Sequence, residues 1–334
     1  MSREAPGAAV DAGPASHSTG PGRARPEWVG FAVLMGAAAL AILVAIAITP
    51  GFLTVDNLRA ILRNASIVGI VAVAMTPVTL SGNFVSLGIS QSAMLAMVGF
   101  VAMVGAGWPQ AVAIPVVIAG LIVVGILQGA VVAVGLNPII TTLAAGAIIF
   151  GVVSEVTGGG IVRAGAPLDW GSGTVAGIPV QVLVFLVFTA AVSLLMARTV
   201  VGRETVLVGA NRATARISGI SATRVTILAF AIFSVGLALA GILNGAAFGQ
   251  ATAVSFRDLT IDVIAALLVG GTAIQGGRGS PLRSAGGALL IAVISNMMVL
   301  NDFSSGGRLA VQGAVVVVVV VLMDYLRRRG AVRS

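Results

Sequence analysis

The sequence predicts an all-α integral membrane protein of about ten transmembrane helices, some broken or re-entrant, with both termini cytoplasmic. Three observations carry this. First, 58% of the 334 residues are hydrophobic and only 9% are charged, whereas a soluble domain carries about 25% charged residues. With a mean hydropathy of +1.09, most of the surface needs lipid as its solvent. Second, the charges are segregated: no Asp, Glu or Arg occurs from Asn64 to Ser154, from Trp170 to Ala197 or from Val225 to Phe256. Third, once those apolar blocks are divided into helices, the arginines gather on one side.

In chain order, residues 1–27 are Pro/Gly/Ser-rich and lack the apolar core of a signal peptide, so they read as a disordered cytoplasmic tail. The membrane domain covers 28–326. A helical crossing takes roughly 20 apolar residues. This gives spans at 28–49, 65–80, 86–105, 112–134, 139–157, 179–197, 225–249, 259–275, 284–300 and 308–326. Turn chemistry separates them: Ser81-Gly82-Asn83, Gly105 to Pro109, Gly135-Leu136-Asn137-Pro138 and Gly158-Gly159-Gly160. Residues 327–334 form a short basic cytoplasmic tail.

Two spans are interrupted. Ala65–Ser90 carries Pro77 and then Ser81 to Gly88, and Leu259–Pro281 carries Gly270-Gly271-Thr272 and then Gln275 to Ser280. A shift of 194 positions lays Ile70, Gly82 and Ser86 on Ile264, Gly276 and Ser280. Irregular backbone at membrane depth survives only where protein or a hydrated cavity satisfies it. Paired interruptions in two halves therefore point to a substrate path. The plainer reading of Gly82 is close helix packing by a small residue.

Arginine alone carries the net charge of +8, since there is no Lys. With the N-terminus inside, 14 of the 19 arginines fall on inner segments, and only Arg59, Arg63, Arg163, Arg257 and Arg308 fall outside. That is the positive-inside bias, and the reverse orientation inverts it. No basic cluster is interleaved with aromatic residues, so nucleic acid is not an expected partner. The chain has no Cys, which excludes disulfides and thiolate metal sites, and its single histidine, His17, lies in the leader.

Catalytic patterns are absent. There is no Gly-x-Ser-x-Gly elbow, no His-Glu-x-x-His pair and no Gly-x-x-x-x-Gly-Lys phosphate loop. The chain is read as no enzyme, without cofactor, and unable to hydrolyse ATP by itself. What remains are polar residues inside spans, which lipid makes costly. Asp262 suits either a functional role or the start of a helix, where an acid complements the dipole. Glu155 reads as an interfacial residue reaching water. Gln91, Gln128, Asn244 and Asn296 suit either solute contact or helix–helix hydrogen bonding.

The inner loop 198–224 reads Val206-Leu207-Val208-Gly209-Ala210-Asn211-Arg212-Ala213-Thr214-Ala215-Arg216-Ile217-Ser218-Gly219-Ile220. Asn211 is N-cap chemistry and Gly219 a helix stop, so a short basic helix is expected between them. Such a helix suits either the lipid surface or a groove on a partner.

This loop resembles the "VGGN…AA…SGI" segment of the membrane permeases of ribose-type bacterial ABC importers. The resemblance runs from about Gly51 to Arg329. Gly51 to Leu58 is similar to the family's "FLTPENL", Pro138 to Leu143 to its "PFIATL", and Asp262-Val263-Ile264-Ala265-Ala266 to its "DAIAA". Ala240-Gly241-Ile242 resembles "AGI", and Gly270-Gly271-Thr272 with Gly276-Gly277-Arg278-Gly279 resembles "GGT…GGRG".

The resemblance implies a multi-pass protein of the bacterial cytoplasmic membrane. It also implies a second copy of the chain, two cytoplasmic ATPase subunits and an extracytoplasmic solute-binding protein as partners. Gly209, Asn211, Ala215, Ser218 and Gly219 become the ATPase-coupling residues. Asn83, Phe84, Ser86, Thr142 and Asp262 become the substrate path. Where the family reads "SGGIDLSVGS", this chain has Phe84 at the acid's place, a ring for stacking or a plug. The function expected is import of a monosaccharide such as ribose, xylose or galactose. A nucleoside, a purine or a branched-chain amino acid is the alternative cargo, and a secondary transporter the alternative class. The charge-free stretch Asn64–Ser154 disfavours the latter.

Overall fold

The computed structural model describes residues 49–331, apart from 166, 167 and 274, together with Gly36, Leu43, Ile46 and Ala47. The 1–27 tail and most of the 28–49 span lie outside the described residues. What is described is all-helical apart from two-residue strands. In order the elements are α1 (Val55–Leu80), α2 (Ile89–Gly105), α3 (Gln110–Ala133), α4 (Pro138–Thr157), β1 (Val162–Arg163), α5 (Asp169–Ser172), β2 (Thr174–Val175) and β3 (Ile178–Pro179). There follow α6 (Val180–Arg198), α7 (Val200–Ala210), α8 (Arg212–Ile217), α9 (Ala222–Phe248), β4 (Gln250–Ala251), α10 (Leu259–Val269), α11 (Pro281–Leu300) and α12 (Ser305–Ala331). Strands β1 and β4 pair antiparallel and join two loops, while β2 and β3 form a hairpin.

Helices α1, α3, α4, α6, α9 and α11 are long and apolar enough to cross a membrane, and α2 and α10 are shorter apolar helices. Helix α1 is central. Every residue from Ala65 to Leu80 is buried, and it packs against α9, α11 and α6. Helices α3, α4 and α6 instead leave Val123, Leu127, Ile148, Val156, Leu186 and Val187 bare. Lipid tails solvate such side chains as well as a protein core does, so this exposure carries no cost in a membrane.

Close approach by small residues holds the centre. A Cβ on Gly125 of α3 would collide with Ser234 Oγ of α9, and one on Gly129 would reach the Ile227 Cα at 3.0 Å. On α9, a Cβ at Gly241 would lie 2.6 Å from the Ala93 carbonyl of α2, and one at Gly245 3.1 Å from the Phe100 ring. Gly125/Gly129 and Gly241/Gly245 are both small-xxx-small pairs. In lipid, dispersion between closely approaching backbones, rather than hydrophobic exclusion, drives association.

Three sequence boundaries need correction. The second span begins at Val55 rather than 65: Arg59 and Arg63, read as part of an outer segment, lie in the first turns of α1. The third begins at Ile89, because Asn83–Gly88 runs as non-helical backbone. The eighth is helical over only part of its length. Helix α10 has 11 residues, about 16 Å at 1.5 Å per residue, roughly half the hydrocarbon thickness. The described residues between Gly270 and Ser280 are non-helical.

Candidate functional site

The two interrupted segments and the 198–224 loop meet at one end of the bundle. Leu80, the last residue of α1, accepts a hydrogen bond from the Gly277 amide at 3.0 Å. A Cβ on Gly276 would stand 2.5 Å from the Gly82 Cα, and one on Gly209 would overlap the Leu80 carbonyl oxygen. Gly82 and Gly276 adopt φ values of +77° and +93°, where L side chains are strained. Only glycine lets three backbones touch here.

Asn83 lies beside this junction and is 1% exposed. Its amide oxygen accepts from Arg212 Nη2 at 2.6 Å, while Nδ2 donates to Ser81 Oγ at 2.8 Å and Thr226 Oγ1 at 3.2 Å. The first residue of α8 is thus tied to the break after α1. Asn211 caps α8 by accepting from the Ala213 and Thr214 amides at 3.0 and 3.1 Å. Ala215 is buried against Val208 and Val225, and Ser218 Oγ donates to the Thr214 carbonyl at 3.1 Å. Gly219 (φ +78°) has open space around it. It ends a helix that leaves Ile217 89% exposed. The five residues expected to couple to an ATPase run from Gly209 on the last turn of α7, through the α8 cap Asn211 and Ala215, to Ser218 and Gly219 just past α8.

Along the Asn83–Gly88 segment, Phe84 faces outward at 43% exposure and Ser86 is buried. The Leu87 amide donates to Thr142 Oγ1 at 3.0 Å, and that hydroxyl donates to the Pro138 carbonyl at 2.9 Å. The α4 start thus satisfies backbone that has left the helix, as membrane-depth irregularity requires. The Ser90 and Thr260 hydroxyls lie 2.7 Å apart, and each accepts from the other's amide at 3.2 Å. Beside them a cavity of about 180 Å³ is lined by Ser90, Gln91, Met94, Phe150, Ser255 and Arg257. The Gln91 Oε1 there is buried without a partner. The structure thus brings Asn83, Phe84, Ser86 and Thr142 into one region.

Thr260, Phe150 and Arg257, which meet the Gly82–Ser90 segment here, were not singled out from the sequence as site candidates. Ser90 and Thr260 stand 170 residues apart, and no local signal joins them. Asp262 does not join this group. It faces a second cavity, of about 350 Å³, and accepts from Gln312 Nε2 at 2.8 Å. Among the described residues, no group of three or more His, Cys, Asp or Glu side chains is placed to hold a metal.

Comparison with known proteins identifies the family. Residues 57–322 match the family described as the branched-chain amino acid transport system permease component. The chain is 34% identical to a ribose import permease of Haemophilus influenzae over 278 residues, covering 80% of this chain and 85% of the relative. It is 31% identical to a ribose import permease of Bacillus subtilis over 283 residues, covering 83% and 87%. An autoinducer 2 import system permease of Yersinia enterocolitica is 30% identical over 238 residues, covering 68% and 71%. No solved structure matches. The resemblance read from the motifs thus extends over most of the chain, which belongs to this family of multi-pass import permeases.

Proposed function

We propose that this chain is the permease subunit of an ATP-driven importer that carries a monosaccharide, with ribose the first candidate. It works as two copies with a separate cytoplasmic ATPase and an extracytoplasmic binding protein. The observation that carries the proposal is the glycine junction. There the α7–α8 element touches both broken helices, and Arg212 grips Asn83. This rests on the membership of a permease family whose relatives include ribose importers. In this reading the chain crosses the membrane ten times, the 82/209/276 junction faces the cytoplasm, and α8 seats in a groove of the ATPase. Movement of α8 is passed through Arg212 to Asn83, and so to the extended Phe84–Gly88 segment. The solute path then follows Phe84, Ser86 and Thr142 to the cavity at Ser90, Gln91 and Arg257. Hydroxyl and amide groups there suit a polyol, and Phe84 offers a ring face.

The test uses cells lacking ribose importers, expressing the chain with its ATPase and binding protein. Labelled ribose uptake should be restored, with xylose and galactose measured beside it. Uptake of a nucleoside or branched-chain amino acid, with none of the three sugars, overturns the monosaccharide assignment.

A further inference from the structure

The cavity that Asp262 faces lies between α1, α10, α11 and α12, apart from the path proposed above. Its wall includes Asp258, Asp262, Asn296, Arg308 and Gln312. Asp258, the residue just before α10, stands four positions from Asp262, as Arg308 does from Gln312 on α12, and all four side chains line the cavity.

Three features make this cavity rich in acceptors. Asp262 is 9% exposed and Gln312 3%, and Gln312 Nε2 is committed to Asp262 Oδ1. That bond fixes which end of the amide is oxygen, and the Gln312 Oε1 is buried with no partner. Asn296 repeats the pattern: its Nδ2 donates to Asn57 Oδ1 at 2.8 Å, and its Oδ1 is buried and unpartnered. Among the described residues neither Asp258 nor Asp262 forms an ion pair within 4.0 Å, the one such pair being Arg59–Asp56. Two carboxylates against one guanidinium leave the wall with one excess negative charge.

Buried acceptors without donors cost free energy until something supplies positive charge or protons. We propose that this cavity binds a small cation, held by the Asp262 and Asp258 carboxylates and by the Asn296 and Gln312 amide oxygens. Hard cations take oxygen ligands of this kind and keep several waters. At about 350 Å³ the space exceeds a bare ion and accommodates one with a hydration shell, each water occupying about 30 Å³. The same chemistry is offered by a metal ion or by ammonium. Its role is to brace the half-helix α10 against α12, whichever solute is carried.

The test is the thermal unfolding midpoint of the full chain in lipid nanodiscs at constant chloride. Sodium, calcium or ammonium replaces tetraethylammonium, which is bulky and has no N–H. The midpoint should rise with concentration of at least one of the three, as binding to the folded state requires, and the arms separate metal from ammonium. Asp262→Asn should abolish the rise. Arg308→Gln, which removes the competing positive charge, should lower the half-saturating concentration about tenfold. A purely structural Asp262–Gln312 contact predicts no such tightening. Equal midpoints in all four chlorides, or an Arg308→Gln response no tighter than the native one, overturn the proposal. If Asp262→Asn does not fold, the Arg308→Gln titration decides alone.

Discussion

Asn83 has one acceptor oxygen and two N–H donors, and the fold uses each of them on Arg212, Ser81 and Thr226. The bond from the guanidinium is charge-assisted and contributes about 1.5–3 kcal/mol. Arg212→Leu removes it without adding bulk at the backbone junction. ATP hydrolysis by the assembled complex should continue while solute uptake falls about tenfold or more, measured side by side on one preparation. Uptake that stays equal to the native level argues against force passing through this contact. Glycines at the junction differ in a way that also tests it. Gly209→Ala forces a Cβ into the Leu80 carbonyl and should lower the unfolding midpoint sharply. Gly219→Ala meets open space and pays only the left-handed backbone strain, about 1–2 kcal/mol. An equal loss from both would mean that backbone contact at 209 is not tight.

At the scale of elements, glycine pairs act as the seams. Gly125→Leu must displace α9 at Phe230 and Ser234, and overpacking of this kind costs about 1–3 kcal/mol or more. Gly120→Ala, with nothing within 4 Å of its Cβ, should leave thermal stability unchanged. The extended segment after α1 makes a sharper prediction. Single cysteines at Asn83, Phe84 and Ser86 should react with a membrane-impermeant thiol reagent in the order their exposure dictates. Phe84→Cys is expected to label in the resting state, while Asn83→Cys and Ser86→Cys, each 1% exposed in the native chain, stay protected. Labelling at Ser86 with none at Phe84 contradicts the geometry.

Much of this was legible in the sequence, because the signals are local. Asn211 as cap, Gly219 as stop and the paired interruptions near Gly82 and Gly276 all announce themselves within a few residues. The interruption of the eighth span was legible in Gly270-Gly271-Thr272, but the span was carried to residue 275 whereas helix α10 ends at Val269. The helical start of α1 was hidden by its charges. Contacts such as Ser90–Thr260 and Asp262–Gln312 join residues 170 and 50 positions apart, and only the packing of whole helices creates them.

Over the whole molecule, sidedness and coupling decide the account. Reporter fusions after Arg333 should be cytoplasmic and those within the 157–177 loop external, following the 14-to-5 division of arginines. A cytoplasmic 157–177 loop inverts the orientation and moves α8 away from any ATPase. The most direct measurement reconstitutes the permease, its ATPase and its binding protein in liposomes, and follows labelled ribose uptake and ATP hydrolysis together. Uptake should require both ATP and the ATPase, and should stop when either is withheld. Ribose accumulation by the permease alone, without nucleotide, would contradict the central claim.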